Sequence, residues 1–352
     1  MDNKISNPSF SSLSQYRNCQ LLYKYGNHLG LVPRGAATNH DLLYGSAGHA
    51  ALAALYNNEP IRAVGETFMN AYPAGLYPDP LPKYGQGKSQ ANFLAALWRY
   101  INDIWRVDCE NWEVLSVERP ESTEGLGEYD HLLVLDLVVR DKQDGLVWGI
   151  DHKITGSYLS DIWPRYELSS QVRMYTADIK RRYGNCGGFI INAISLRHRS
   201  KAYTPRTGAD KGKQLPAGDW FAFGRMVYRP NEECLKLEQA NVQATTDAMR
   251  DSIQRDVWSY NTARCHIGKD YACPFVTICQ PGWSWPQDRE SILEYYRQRC
   301  GQRIIATGAT IGHCELNREH DGECSPNAPE ESPLPQIIVV PENDPYFASI
   351  ED

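Results

Sequence analysis

The chain has 352 residues, 42% of them apolar, with ten cysteines and a net charge of −7. That is enough for one large domain or two smaller ones around a sizeable core. No run of about 18 apolar residues occurs, which excludes a membrane-spanning helix. The opening MDNKISNPSF lacks the apolar stretch of a secretion signal, so a cytoplasmic chain is expected, with cysteines as thiols or metal ligands rather than disulfides.

In chain order, residues 10–26 read as a short capped helix containing Cys19, and 27–41 as a Gly/Pro loop. The Ala/Leu-rich stretch 43–56 reads as a helix with His49 inside it. A further helix over 61–72 and a Pro-rich loop over 72–84 follow. Residues 88–107 read as a long amphipathic helix with Phe93, Leu97, Tyr100, Ile101 and Ile104 on one face. A strand over 112–119 ends at Glu118, which reads equally as a ligand or as a solvated strand end.

Residues 132–155 are two Val/Ile/Leu-rich runs around Asp141-Lys142-Gln143-Asp144-Gly145, the pattern of a β-hairpin. A helix over 166–183 and a buried strand over 186–196 come next. The following loop is basic, with Arg197, Arg199 and Lys201 placed to contact phosphates. A strand over 220–228, a long helix over 232–260 and a short helix over 289–299 complete the elements. From Ser284 onward thirteen acidic residues face five basic ones, so the body is near neutral and the tail reads as acidic and disordered.

The chemistry concentrates in the hairpin. Asp136 sits inside its first strand. Asp151 and Lys153 end the second, two residues apart and therefore on one face. Buried charges of this kind are costly unless paired or metal-bound. Two carboxylates suit a hard divalent cation, and a neighbouring lysine can orient an attacking water. By itself D-x-K is a common pattern, and a strand end meeting solvent is the simpler reading.

The order of the surrounding residues adds to it: His49 on an early helix, Asp136, Asp151 with Lys153, then Gln171 and Tyr175 four apart on one helix face. This set resembles the PD-(D/E)xK nuclease superfamily, and within it the RecB-like branch. The resemblance spans roughly residues 10–282. It implies an α/β fold with a restriction-endonuclease-like core, a mixed central β-sheet flanked by helices. It implies Mg²⁺ or Mn²⁺ held by His49, Asp136 and Asp151, catalysis by Asp136, Asp151, Lys153, Gln171 and Tyr175, and a DNA substrate.

Cys265, Cys273 and Cys279, separated by seven and five residues, resemble the end of an iron–sulfur site, as in AddB-type and CRISPR-associated nucleases. That resemblance places the fourth ligand on the first helix, where Cys19 stands, and implies a [4Fe–4S] cluster joining the N- and C-terminal segments. Zinc and free thiols are the competing readings.

The expected organisation is a nuclease domain over 1–283 and a short helix with an acidic tail over 284–352. The expected activity is metal-dependent DNA hydrolysis, as an exonuclease in recombination, repair or replication in a bacterial or phage-infected cell. No Walker-type motif occurs, so unwinding would fall to a helicase or recombination partner. The alternative is a catalytically silent DNA-binding or scaffold subunit of the same fold.

Overall fold

The computed structural model describes residues 8–34, 40–73, 87–123, 131–199 and 201–298, apart from 203, 205–211, 215–217, 266–272 and 283–286, together with 303–306 and 309–313. The acidic tail from residue 314 lies outside the described residues.

The chain opens with α1 (Phe10–Asn18), capped by the Ser9 side chain, which accepts from the Ser12 amide at 3.3 Å. The single helix expected over 10–26 is broken at Cys19, which is fully extended (φ −165°), and resumes as α2 (Gln20–Tyr23) and a π-helical turn, Lys24–His28. Then come β1 (Leu31–Pro33), α3 (His40–Tyr56), α4 (Ile61–Ala71) and α5 (Gln90–Tyr100). A π turn, Ile101–Trp105, joins α5 to α6 (Arg106–Asn111). The strands β2 (Trp112–Thr123), β3 (His131–Asp141) and β4 (Val147–Thr155) follow, with the one-turn helices α7 (Leu159–Ile162) and α8 (Pro164–Glu167) and then α9 (Ser170–Tyr183). After these lie β5 (Cys186–Arg199), β6 (Gly218–Tyr228), α10 (Glu232–Arg255), α11 (Val276–Cys279), α12 (Arg289–Tyr295), β7 (Tyr296–Gln298), β8 (Arg303–Ala306) and β9 (Ala309–His313).

Five strands form the central sheet in the order β2-β3-β4-β5-β6. Only β4 and β5 run parallel, with α7 to α9 as the crossover; the other pairs are antiparallel. The sheet is therefore mixed and covered by helices on both faces, as the sequence leads one to expect. On one face Tyr44, Leu52 and Leu55 of α3, with α4 and α5, bury Leu137, Val139, Ile150 and Ile190. On the other, α1, α9 and α10 bury Leu133, Leu135, Val138, Val147 and Ile191.

The hairpin turn is set by its side chains. Asp141 accepts from the Gln143 amide at 2.8 Å and Asp144 from the Leu146 amide at 2.9 Å, while Gly145 takes the left-handed conformation (φ +72°).

Four further expectations are corrected. Arg197 and Arg199 belong to β5 rather than to a loop, because the strand stays paired with β6 through Arg199–Gly218. The helix over 232–260 stops at Arg255, where Asp256 turns left-handed (φ +50°). The helix over 289–299 ends at Tyr295, because Tyr296–Gln298 pair with Leu31–Pro33 as a two-stranded ribbon. Ile292 and Tyr296 bury there against Tyr25, Leu31, Phe275 and Ile278, each contributing about 1.5–3 kcal/mol of hydrophobic stabilisation. Residues 303–313, read as disordered, contain the β8–β9 hairpin. No helix among the described residues is long and apolar enough to cross a membrane.

Candidate active site

The β3–β4 ladder holds Leu137 to Arg140 against Val147 to Ile150 and goes no further. Beyond Ile150 the Asp136 side chain takes over: its Oδ2 accepts the His152 amide at 2.6 Å. The alternation of β3 also breaks here, since Leu133 and Leu135 pack on one face and Leu137 and Val139 on the other. Glu118 of β2 stands beside Asp136, between Val117 (opposite Leu137) and Arg119 (opposite Leu135), with φ +45°. A positive φ at a non-glycine residue stores strain, and such residues gather at functional sites.

Helix α3 brings His49 to this point. Gly48 permits the approach: a Cβ there would lie 1.9 Å from Ile154 Cδ1 on β4. The His49 Nδ1 lies 3.2 Å from Asp136 Oδ2 and 3.6 Å from Glu118 Oε1. One ligand atom from each of these three residues falls within 4.8 Å of the other two. Burial disfavours charge on His49, yet the two acids overcome it and raise its pKa to about 10. Burial likewise pushes the Asp136 carboxyl up, but the His49 charge and hydrogen bond outweigh it and hold it well below the usual range. Burial and Asp136 push Glu118 up, against the His49 interaction.

Asp151 and Lys153 share the opposite face of β4, towards α9. The Lys153 ammonium lies 2.7 Å from Asp151 Oδ2, an ion-pair contact off the hydrogen-bond direction, and donates to Oδ1 at 2.9 Å. Gln171 Nε2 also donates to Oδ1, at 3.0 Å. Burial raises the Asp151 carboxyl to about 6, with Lys153 working against that rise. Burial opposes the charge on Lys153, but Asp151 and Tyr166 hold its pKa above the ordinary lysine value, so it remains an ammonium. The Tyr166 ring lies 5.9 Å beneath it. Tyr175, almost buried, is one helical turn from Gln171 and bonded to it, its hydroxyl pKa raised by burial and by Asp151.

His49, Asp136, Asp151, Lys153, Gln171 and Tyr175 are thus gathered at one end of β4. The Asp151 carboxylate faces Lys153 and Gln171 rather than joining the His49–Glu118–Asp136 group, although Asp136 and His49 both act on it electrostatically. Glu118 enters this site from a position where the sequence left ligand and strand end equally open. Its only local signal is its place at the end of a β-run. Tyr166 carries no sequence signal for its contact with Lys153.

The four cysteines also come together. Cys273 and Cys279 each feel the thiols of Cys19 and Cys265, and the Cys273 amide donates to the Cys265 carbonyl at 2.8 Å. Burial first, then the neighbouring thiols, raises Cys279 to about 11. No three of them have sulfurs within 4.8 Å of one another. Arg197 stacks its guanidinium 3.4 Å from the Tyr158 ring centre, and Lys201 is exposed; the Arg199 side chain lies outside the described residues.

The helix-flanked mixed sheet, with acids and a lysine meeting where β3 and β4 part, has the form of a restriction-endonuclease-like core. The chain belongs to the PD-(D/E)XK nuclease superfamily, whose sequence profile matches residues 7–280. No curated protein sequence matches it. Among solved structures it is similar to a suspected exonuclease from Eubacterium rectale, at 12% identity and a TM-score of 0.41, over 79% of this chain and 94% of that one. It is also similar to a protein titled SSO0001, at 13% identity and a TM-score of 0.28, over 75% and 97%.

Proposed function

We propose that the protein is a metal-dependent DNA nuclease that works as an exonuclease in recombination, repair or replication. The observation that carries this reading is the convergence of His49, Glu118 and Asp136 beside the Asp151–Lys153 pair.

The residues fit a hard divalent cation. Two carboxylate oxygens and an imidazole nitrogen lie within 4.8 Å of one another, and in the protein alone His49 supplies the positive charge between the two acids. Asp136, Asp151 and His49 would hold Mg²⁺ or Mn²⁺, with Glu118 at hand and the His152 carbonyl completing the set; the imidazole favours Mn²⁺. When bound, the cation acidifies a water and offsets charge on the phosphate. Lys153, fixed as an ammonium, donates to the attacking water or to a phosphate oxygen and stabilises negative charge developing there. Gln171 holds Asp151 in place, and Tyr175 holds Gln171. Arg197, Arg199 and Lys201 offer positive charge to the phosphate backbone.

The four thiols would hold a [4Fe–4S] cluster that ties α1 to α11. Four thiolates suit a [4Fe–4S] cluster, and a single tetrahedral zinc is the competing occupant.

End-labelled single- and double-stranded DNA, incubated with Mg²⁺, with Mn²⁺ and with EDTA, tests the reading. Shortening from an end that stops in EDTA is expected. Binding without cleavage under every condition would instead support the scaffold alternative. Cleavage only at free or single-stranded ends would leave unwinding to a helicase partner.

A further inference from the structure

On the other face of β4 lies a row of polar side chains that the chemistry above does not use. His152, Asn192 and Arg225 are direct cross-strand neighbours on β4, β5 and β6. They stand side by side on a face otherwise occupied by Ile150, Ile190 and Ile194.

The hydrogen bonds of this row run in one direction. Arginine can only donate. Its Nε donates to Asn192 Oδ1 at 2.9 Å, and its two terminal nitrogens clamp the Asp108 carboxylate at 2.6 Å each. With Oδ1 so engaged, the Asn192 amide nitrogen faces His152 Nδ1 at 2.8 Å and the Tyr100 hydroxyl at 3.0 Å. An amide nitrogen donates, so Nδ1 accepts, and the neutral ring carries its proton on Nε2. Tyr56 stacks on that ring at 5.5 Å and 19°, and donates to Asp108 at 2.5 Å.

Stability alone does not account for the row. Replacing a buried ion pair such as Asp108–Arg225 by well-packed apolar residues is often neutral or stabilising. The His152 Nε2 is buried without a hydrogen-bond partner, a further cost of about 1–3 kcal/mol. What the row does reach is the site. His152 donates its amide to Asp136 Oδ2 just past the last β3–β4 backbone pair, so that side chain continues the hold of β3 on this edge of β4.

We propose that Asn192, backed by Tyr100 and the Arg225–Asp108 pair, is a positioning residue for the metal site. By locking the His152 ring it fixes the backbone torsions of the residue whose amide is bonded to Asp136 and whose carbonyl would complete the set of metal ligands. This deepens the nuclease reading and rests on it.

The test uses the full chain and Mn²⁺ itself. Calorimetric titration of Asn192→Leu should show Mn²⁺ affinity weakened by roughly 10- to 100-fold, the usual effect of removing a partner that orients a metal ligand. DNA affinity in Ca²⁺ should stay near wild type, while melting falls because Arg225 Nε loses its acceptor. Tyr100→Phe, which removes one hydroxyl from the row, should weaken Mn²⁺ less and decides the matter if Asn192→Leu fails to fold. Nitrogen NMR of wild-type His152 should show the Nε2–H tautomer. A folded Asn192→Leu with wild-type Mn²⁺ affinity, an unaltered Tyr100→Phe where the first variant does not fold, or an Nδ1–H tautomer overturns the proposal. Mn²⁺ binding is read without DNA, so failure of the wild type to cleave would remove the nuclease reading and leave this result separate.

Discussion

Two groups of metal-competent side chains stand in this molecule, and they are built on opposite plans. The acid–imidazole–lysine site is made on the strands and helix of the core, and each group has a partner in the protein alone: His49 between Asp136 and Glu118, Lys153 against Asp151, Gln171 behind it. The thiol group is made at the edges, from an extended residue between two helices, a turn and a one-turn helix. Its thiols are half-buried, and burial followed by the neighbouring thiols raises Cys273 and Cys279. The core site is thus preorganised, and metal would add chemistry to it. On the proposed reading the thiol group would gain its cohesion from the cluster it holds, so that binding free energy there would become folding free energy.

The sharpest way to break the contrast is to remove charge from the core site. Asp151→Ala or Lys153→Ala should lower cleavage by at least about 10²–10³-fold, the range for losing one preorganised electrostatic stabiliser. Melting should hold within a few degrees in Asp151→Ala, because the Asp151 carboxyl, raised by burial, is itself costly to bury, and fall further in Lys153→Ala, which leaves that carboxyl without its ammonium. Labelled-DNA cleavage set beside thermal melting checks both halves.

At the thiol group the balance should invert. Cys19→Ala should cost roughly 3 kcal/mol, lowering melting by about 6–12 °C, and should remove the absorbance near about 400 nm expected of a cluster in anaerobically purified protein. Unchanged melting and spectrum would sink the cluster.

A smaller effect is expected at Gly48. Gly48→Ala places a methyl against Ile154 Cδ1 and should cost about 1–3 kcal/mol, pushing α3 and His49 outward. Ile154→Val, which removes that carbon, should restore part of the loss in a double-mutant cycle.

The smallest concerns pH. The Asp256 carboxyl is pushed up by burial but pulled lower overall by hydrogen bonds from Lys24 and Trp258 and by the Lys24 charge. A depressed folded pKa means stability present above the unfolded carboxylate value and lost as pH falls through the folded one. Melting should therefore drop below about pH 4, and Asp256→Asn, which keeps a residue tolerant of the left-handed backbone, should flatten that drop.

Much of the core site was legible because its signals are local. The hairpin shows as two apolar runs around a polar turn, D-x-K reads directly, and Gln171 and Tyr175 are one helical turn apart. For Glu118 the sequence left ligand and solvated strand end equally open, since its strained backbone and its place beside Asp136 arise only when β2 pairs with β3. The row behind β4 was hidden for a similar reason. Tyr56, Tyr100, Asp108, Asn192 and Arg225 come from five elements, and each alone passes for a core aromatic or a surface polar residue. The break at Cys19 and the β1–β7 ribbon depend on tertiary pairing that no local periodicity announces.

The central claim is that β2, β3, β4 and α3 gather acids and an imidazole around one cation. Titration of Mn²⁺ into the wild type, Asp136→Asn and Glu118→Gln tests it most directly. One ion per chain at the acid site is predicted, with affinity weakened most by Asp136→Asn and less by Glu118→Gln. Equal Mn²⁺ binding by all three proteins would contradict it.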